Sequence, residues 1–129
     1  MIVVDTSAII ALTIHEPRGM AVEARLRGRR MYAPHFVDLE VANVLRGLLM
    51  GGKLTLPPAE QALHDFLAMP VERRDLGPLI SRVWELRHNY SAYDAAYVAL
   101  AENLGATLLT TDAKLARGTG ARCPIELVS

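Results

Sequence analysis

The chain has 129 residues, with 14 basic and 14 acidic side chains, four His, one Cys and an apolar content of 51%. That length sets a single domain spanning 1–129, the apolar content excludes a disordered chain, and one Cys excludes an internal disulfide or a multi-Cys zinc site. A net charge of zero argues against indiscriminate polyanion binding. The longest apolar stretch, 8–14, is far short of the ~20 residues of a membrane helix. No secretion signal opens the chain, so a cytoplasmic, reducing location is expected and no membrane contact.

In chain order, residues 1–4 form an apolar, β-branched run that stops at Asp5-Thr6-Ser7. Continuous apolarity predicts a strand covered on both faces, as in parallel sheets. A helix over 7–14 follows, then a second over 17–27 with Pro at its first turn and Gly28 just beyond its end. Residues 31–33 read as a short strand stopped by Pro34. The strongest helical pattern is 36–50, apolar at 37, 41, 44, 45 and 48 and stopped by Gly51-Gly52. Thr55-Leu-Pro-Pro opens a helix over 59–67, Pro70 ends it, and 71–73 reads as a strand. Helices over 79–88 and 92–104 come next; the second starts at Ser91-Ala-Tyr-Asp94, a capping-box pattern, and stops at Gly105. A strand over 107–111, a helical turn over 113–116, a loop over 118–124 and a strand over 125–128 complete the order. Strands separated by helices predict an α/β sandwich built on a mainly parallel sheet.

Two of these strands end alike, in Val4-Asp5-Thr6 and Thr111-Asp112. Ligands bind beyond the carboxyl ends of strands in open α/β sheets, so Asp5 and Asp112 are site candidates. The plainer reading of each is an N-cap on the helix that follows. Asp94 falls in the first turn of the Ser91 helix, where the helix dipole favours an acid and where a cation could also be held. In the 36–50 helix, Glu40 lies on one edge of the apolar stripe near Asn43 and Asp38 on the other. Periodicity does not choose between them.

Asp5-Thr6-Ser7 after an opening strand, Glu40 with Asn43, Tyr93-Asp94-Ala95 and Thr110-Thr111-Asp112 together resemble the PIN-domain family, and within it the VapC-type toxin ribonucleases. The four motifs follow in order at gaps of 35, 54 and 18 residues, over nearly the whole chain. The resemblance implies a PIN-like three-layer sandwich with about five short strands and helices on both faces. It selects Glu40 over Asp38 and implies Asp5, Glu40, Asp94 and Asp112 as a catalytic and metal-binding quartet, with Ser7 and Thr110 as supporting hydroxyls. It further implies a Mg²⁺- or Mn²⁺-dependent endoribonuclease, a VapB-type antitoxin that covers the site, and a homodimer. Physical chemistry is consistent with this: two carboxylates ~4 Å apart repel by about 4 kcal/mol at an effective dielectric near 20. One or two hard divalent cations relieve that repulsion, and all-oxygen ligation favours Mg²⁺ or Mn²⁺ over zinc.

Twelve of the 14 basic residues are Arg, the side chain that pairs bidentately with phosphate and stacks on bases. Arg18, Arg25, Arg27, Arg29 and Arg30 form one cluster and Arg82, Arg87 and His88 another; from these Arg25, Arg29, Arg30 and Arg87, with Tyr93 beside the proposed site, are the candidate RNA contacts. A solvated face with ion pairs is the plainer account of each cluster. The His residues lack metal-binding spacing. Neither a haloacid-dehalogenase-like phosphatase nor a receiver domain fits, because Ser7 stands where the former needs a second Asp. The remaining alternative is a catalytically silent PIN-like RNA- or protein-binding module.

Overall fold

A computed structural model describes all residues, 1–129. Five parallel strands form one sheet: β1 (Ile2–Val4), β2 (Met31–Pro34), β3 (Val71–Arg74), β4 (Thr107–Thr110) and β5 (Ile125–Leu127), in the order β3-β2-β1-β4-β5. β1 lies at the centre, with Val3 opposite Tyr32 on one side and Leu108 on the other. All three β1 residues are fully buried, as their uninterrupted apolar run requires.

Seven helices cover the sheet: α1 (Thr6–Thr13), α2 (Gly19–Leu26), α3 (Val37–Met50), α4 (Leu56–Ala68), α5 (Ile80–Glu85), α6 (Ala92–Leu104) and α7 (Ala113–Arg117). Right-handed crossovers place α1–α4, which link β1 to β2 and β2 to β3, on one face. They place α5 and α6, which link β3 to β4, on the other. The packing follows this division: α1 contacts α2, α3 and α4, while α6 contacts α5 and crosses under β1, β2 and β4. α6 approaches closely because its buried face includes Ala95, Ala96, Ala99 and Ala101. Gly19 lets α2 meet α1, since a Cβ there would stand 2.5 Å from the Ala11 carbonyl oxygen. No helix is long and apolar enough to cross a membrane.

Most sequence-based boundaries shift by a residue or two; α2 begins at Gly19 behind Arg18, so Pro17 precedes the helix instead of opening its first turn. α4 begins at Leu56, because Pro57 and Pro58 occupy its first turn, where missing N–H groups cost nothing. β2 runs on to Pro34, at the strand's last position. The helix expected over 79–88 is a 3₁₀ turn (Gly77–Leu79) followed by α5, which ends at Glu85. Ser91 caps α6 by accepting from the Asp94 N–H at 3.2 Å, and Gly105 ends it at φ 64°, where a side chain would be strained.

Chain order reverses between β1 and β4, since β2 and β3 extend to one side of β1 and β4 and β5 to the other. A crevice opens beyond the carboxyl ends of strands at such a switch point. Asp5 leaves β1 and Asp112 follows β4 at that place.

Candidate active site

The crevice is a cleft of about 420 Å³ whose walls include Asp5, Glu40, Asp94 and Asp112, with Ser7, Thr111 and Asn43. All four expected acids therefore face one space, though two helices, α3 and α6, and two strand ends, those of β1 and β4, deliver them. Asp38, the residue periodicity left in contention with Glu40, turns away and forms a two-point ion pair with Arg73 of β3, at 2.6 and 3.2 Å.

Asp5 begins α1 without capping it. Its Oδ2 instead accepts from the hydroxyls of Ser7 at 2.6 Å and Thr110 at 2.8 Å. Those hydroxyls in turn accept the main-chain N–H groups of Thr111 and Asp112, both at 3.0 Å. With every proton assigned, the Asp5 rotamer is locked and Oδ1 is left without a protein partner. Glu40 is held by a matching device. Thr6 and Tyr97 both donate to Glu40 Oε1, at 2.8 and 2.7 Å, leaving Oε2 free. Asp112 is different: it caps α7, accepting the Lys114 N–H at 2.9 Å, so here the cap and the cleft position coexist.

The electrostatics are those of crowded acids. Burial pushes the Asp5 carboxyl up to about 6 against the lowering effect of Ser7 and Thr110, and the Asp94 and Glu40 charges add to the rise. Asp94 is raised by burial, then by Asp112 and Glu40, while Lys114 opposes. Burial and the nearby Glu40 and Asp5 charges raise the Tyr97 phenol, which keeps it a donor. The acids do not close around one point as a ready-made set of three ligands. The donor chemistry nevertheless fits a hard divalent cation: oxygen ligands only, two carboxylates pinned by one oxygen and open at the other, and repulsion that a cation removes.

Sequence reasoning missed Tyr97, Glu16 and the part Thr6 plays, and placed Arg18 only in an RNA-contacting Arg cluster. Arg18 reaches the cleft wall, with Nε 2.6 Å from Glu16 and Nη1 donating to the Thr111 carbonyl at 3.3 Å. Tyr97 was findable, since it lies one helical turn beyond Asp94 and so on the same side of α6. Among the candidate RNA contacts, Arg29 and Arg30 precede β2 and so sit at the end of the sheet opposite the cleft; Arg30 pairs with Glu72. Arg25 is bound to Glu126 of β5. Tyr93 stands beside the cleft, 61% exposed, edge-on to Phe36 at 5.2 Å. Arg87 borders Asp94 from another side.

An acidic cleft at the switch point of a parallel sheet of this order, covered by helices on both faces, defines the PIN fold. The chain matches the PIN domain over residues 2–120 and belongs to that family. It is 40% identical over 129 residues to Ribonuclease VapC12 of Mycobacterium tuberculosis, covering 100% of both chains, and is thus of the VapC type. Among solved structures it resembles PAE2754 from Pyrobaculum aerophilum (TM-score 0.68, 24% identity, 96% of this chain and 81% of that one). It also resembles VapBC2 from Rickettsia felis bound to a DNA fragment from their promoter (TM-score 0.68, 18% identity, all of both chains).

Proposed function

We propose that the protein is a metal-dependent endoribonuclease, the toxin of a type II toxin–antitoxin pair, that hydrolyses RNA phosphodiester bonds in the cleft. The observation that carries this reading is the paired design of Asp5 and Glu40, each with one oxygen fixed by two hydroxyls and the other open to the same acidic cleft. A binding module has no reason to accept that repulsion, and the relative VapC12 is named a ribonuclease.

In this reading Asp5, Glu40 and Asp94 would hold one Mg²⁺ or Mn²⁺, directly or through waters. Asp112 would hold a second ion or orient the attacking water. Such an ion supplies Lewis-acid polarisation of the phosphodiester and lowers the pKa of water. Ser7 and Thr110 hold Asp5, and Thr6 and Tyr97 hold Glu40, so that neither carboxylate must reorganise as substrate arrives. Tyr93 would offer an aromatic face to a base beside the cleft. A VapB-type antitoxin is the natural partner, as the neighbour VapBC2 is a two-component assembly. The free Cys123 suits a cytoplasmic setting.

The test is cleavage of end-labelled RNA by purified protein with Mg²⁺ or Mn²⁺, in parallel with EDTA and with Asp5→Asn. Internal cuts that vanish with EDTA, and that Asp5→Asn slows at least 100-fold, are expected. Cleavage by Asp5→Asn at the wild-type rate overturns the assignment, and RNA binding without cuts supports the silent module instead.

A further inference from the structure

Two cavities meet at Asp94. One is the acidic cleft; the other, of about 370 Å³, is lined on the far side of that residue by Arg87, His88, Asn89, Tyr90, Ser91 and Lys114. Their charges are opposite. The cleft gathers five acids against Arg18, whereas the second cavity sets Arg87 and Lys114 against Asp94 alone.

Those two cations differ from most others in the molecule. Arg18, Arg25, Arg27, Arg30, Arg73, Arg74 and Arg82 all lie within ion-pair distance of a carboxylate. Arg87 and Lys114 have no such partner. Arg87 is nonetheless held in place: its guanidinium stacks on Trp84, 4.8 Å from the ring centroid, and Nη1 donates to the Trp84 carbonyl at 2.9 Å. Stacking fixes the side chain without neutralising it, and leaves other N–H groups of its planar fork for a ligand. Lys114 stands in the first turn of α7, with its main-chain N–H tied to Asp112 and its side chain exposed.

We propose that the Arg87–Lys114 cavity binds the RNA phosphate adjacent to the one cleaved, so that the strand leaves the acidic cleft past Asp94 and is anchored there. This rests on the ribonuclease reading of the cleft. Four carboxylates repel a polyanion, and cations next to them hold the strand where they do not neutralise the acids. The Arg87 fork matches the geometry of two phosphate oxygens and Lys114 acts as a point charge. Continuity with the cleft through Asp94 favours the strand itself over an acidic protein segment as occupant.

The experiment measures the affinity of a fluorescein-labelled, single-stranded RNA dodecamer of mixed sequence, by anisotropy in EDTA so that nothing is cut, across 50–200 mM KCl. Each lost phosphate contact flattens the dependence of log affinity on log salt by about 0.7. Arg87→Ala with Lys114→Ala removes that one phosphate contact, and is expected to flatten it by about 0.7 and to weaken binding by about tenfold at low salt. Arg87→Lys with Lys114→Arg keeps most of the slope. Arg117→Ala removes an exposed cation of the same helix α7 that lines neither cavity, and leaves the slope within about 0.3 of wild type. Equal flattening by Arg117→Ala makes the effect one of net charge and overturns the proposal. So does an unchanged slope in the double alanine variant, including the case where that variant instead loses a protein partner; wild-type cutting in Mg²⁺ then leaves the ribonuclease reading intact. A wild-type protein that neither cuts nor binds RNA brings down both.

Discussion

At the scale of single residues, the site is a set of hydroxyls arranged around carboxylates. Ser7 and Thr110 place their protons on Asp5 Oδ2, and Thr6 and Tyr97 place theirs on Glu40 Oε1. Each pair leaves one lone carboxylate oxygen facing the cleft. Tyr97 is the most informative of the four, because it touches Glu40 without lining the cleft itself. Tyr97→Phe keeps the ring that packs edge-on to Phe36 at 5.7 Å and deletes only the donor. Glu40 then loses one of two hydrogen bonds to a charged acceptor, and a cost of about 1–2 kcal/mol in stability is expected. As a positioning residue, Tyr97 would show a maximal cleavage rate lowered about tenfold, with RNA affinity in EDTA unchanged. Urea unfolding and single-turnover cleavage measure the two effects. A wild-type rate in the Phe variant would show that Thr6 alone orients Glu40.

At the scale of elements, the cleft depends on helices held at the right angle to the sheet. α6 carries Asp94 at its start, and its far end is tied down by Glu102. That carboxylate accepts two hydrogen bonds from Arg82 of α5, at 2.7 and 3.0 Å, and the Arg122 N–H at 2.7 Å. Arg82 also reaches the Gly120 carbonyl at 2.8 Å, so one cluster joins α5, α6 and the loop before β5. Burial alone would raise the Glu102 carboxyl, but Arg82 and the Arg122 N–H outweigh it and hold the group below the ordinary range. A depressed folded value means the unfolded chain binds the proton more readily. The stabilisation is therefore complete above about pH 4.3, the ordinary glutamate value, and is lost as pH falls through the folded value. Glu102→Gln removes that linkage. At pH 7 the variant is expected to be about 1–2 kcal/mol less stable than wild type. The difference should shrink towards zero in urea melts taken from pH 5 down to pH 3, and a constant gap over that range would exclude the account.

At the scale of the whole molecule, the zero net charge divides into unlike parts. With five acids and Arg18 lining the cleft, nine acids face 13 bases elsewhere, which reconciles a neutral chain with an RNA substrate. The exterior also carries more apolar surface than a lone domain needs. Leu39 and Met50 of α3 are 75% and 68% exposed and, eleven residues apart, lie on the same side of the helix. The homodimer that the family resemblance implies would bury this side of α3, because exposed apolar patches mark contact surfaces. Light scattering at tens of micromolar should give twice the chain mass, and Leu39→Lys with Met50→Lys should return it to the monomer mass. A wild-type monomer at that concentration refutes the homodimer.

Much of this was legible beforehand, for identifiable reasons. The buried strands read directly, since a segment covered on both faces must be apolar throughout, as Ile2–Val4 is. The α6 boundaries were legible because Ser91 and Gly105 act locally, through an N–H acceptor and a left-handed backbone. α5 ends at Glu85, short of the expected 88, and turns over 86–89 lead to the Ser91 cap, although Arg87 and His88 are themselves compatible with a helix. Within the site, Asp5 and Asp112 were signalled by their place after strands, whereas Glu40 against Asp38 was not decided by periodicity. Tertiary contact separates them: Arg73, 35 residues from Asp38, draws that acid away, while Thr6 and Tyr97 draw Glu40 in. The sequence by itself determined the strands, the helix ends and the acids available, because each depends on neighbours within a few residues. Only the tertiary structure decided which carboxylates share a cleft, which oxygens remain open and which cations stay unpaired. Those outcomes depend on side chains up to 105 residues apart, as with Asp5 and Thr110, brought together by a sheet whose order reverses at β1 and β4.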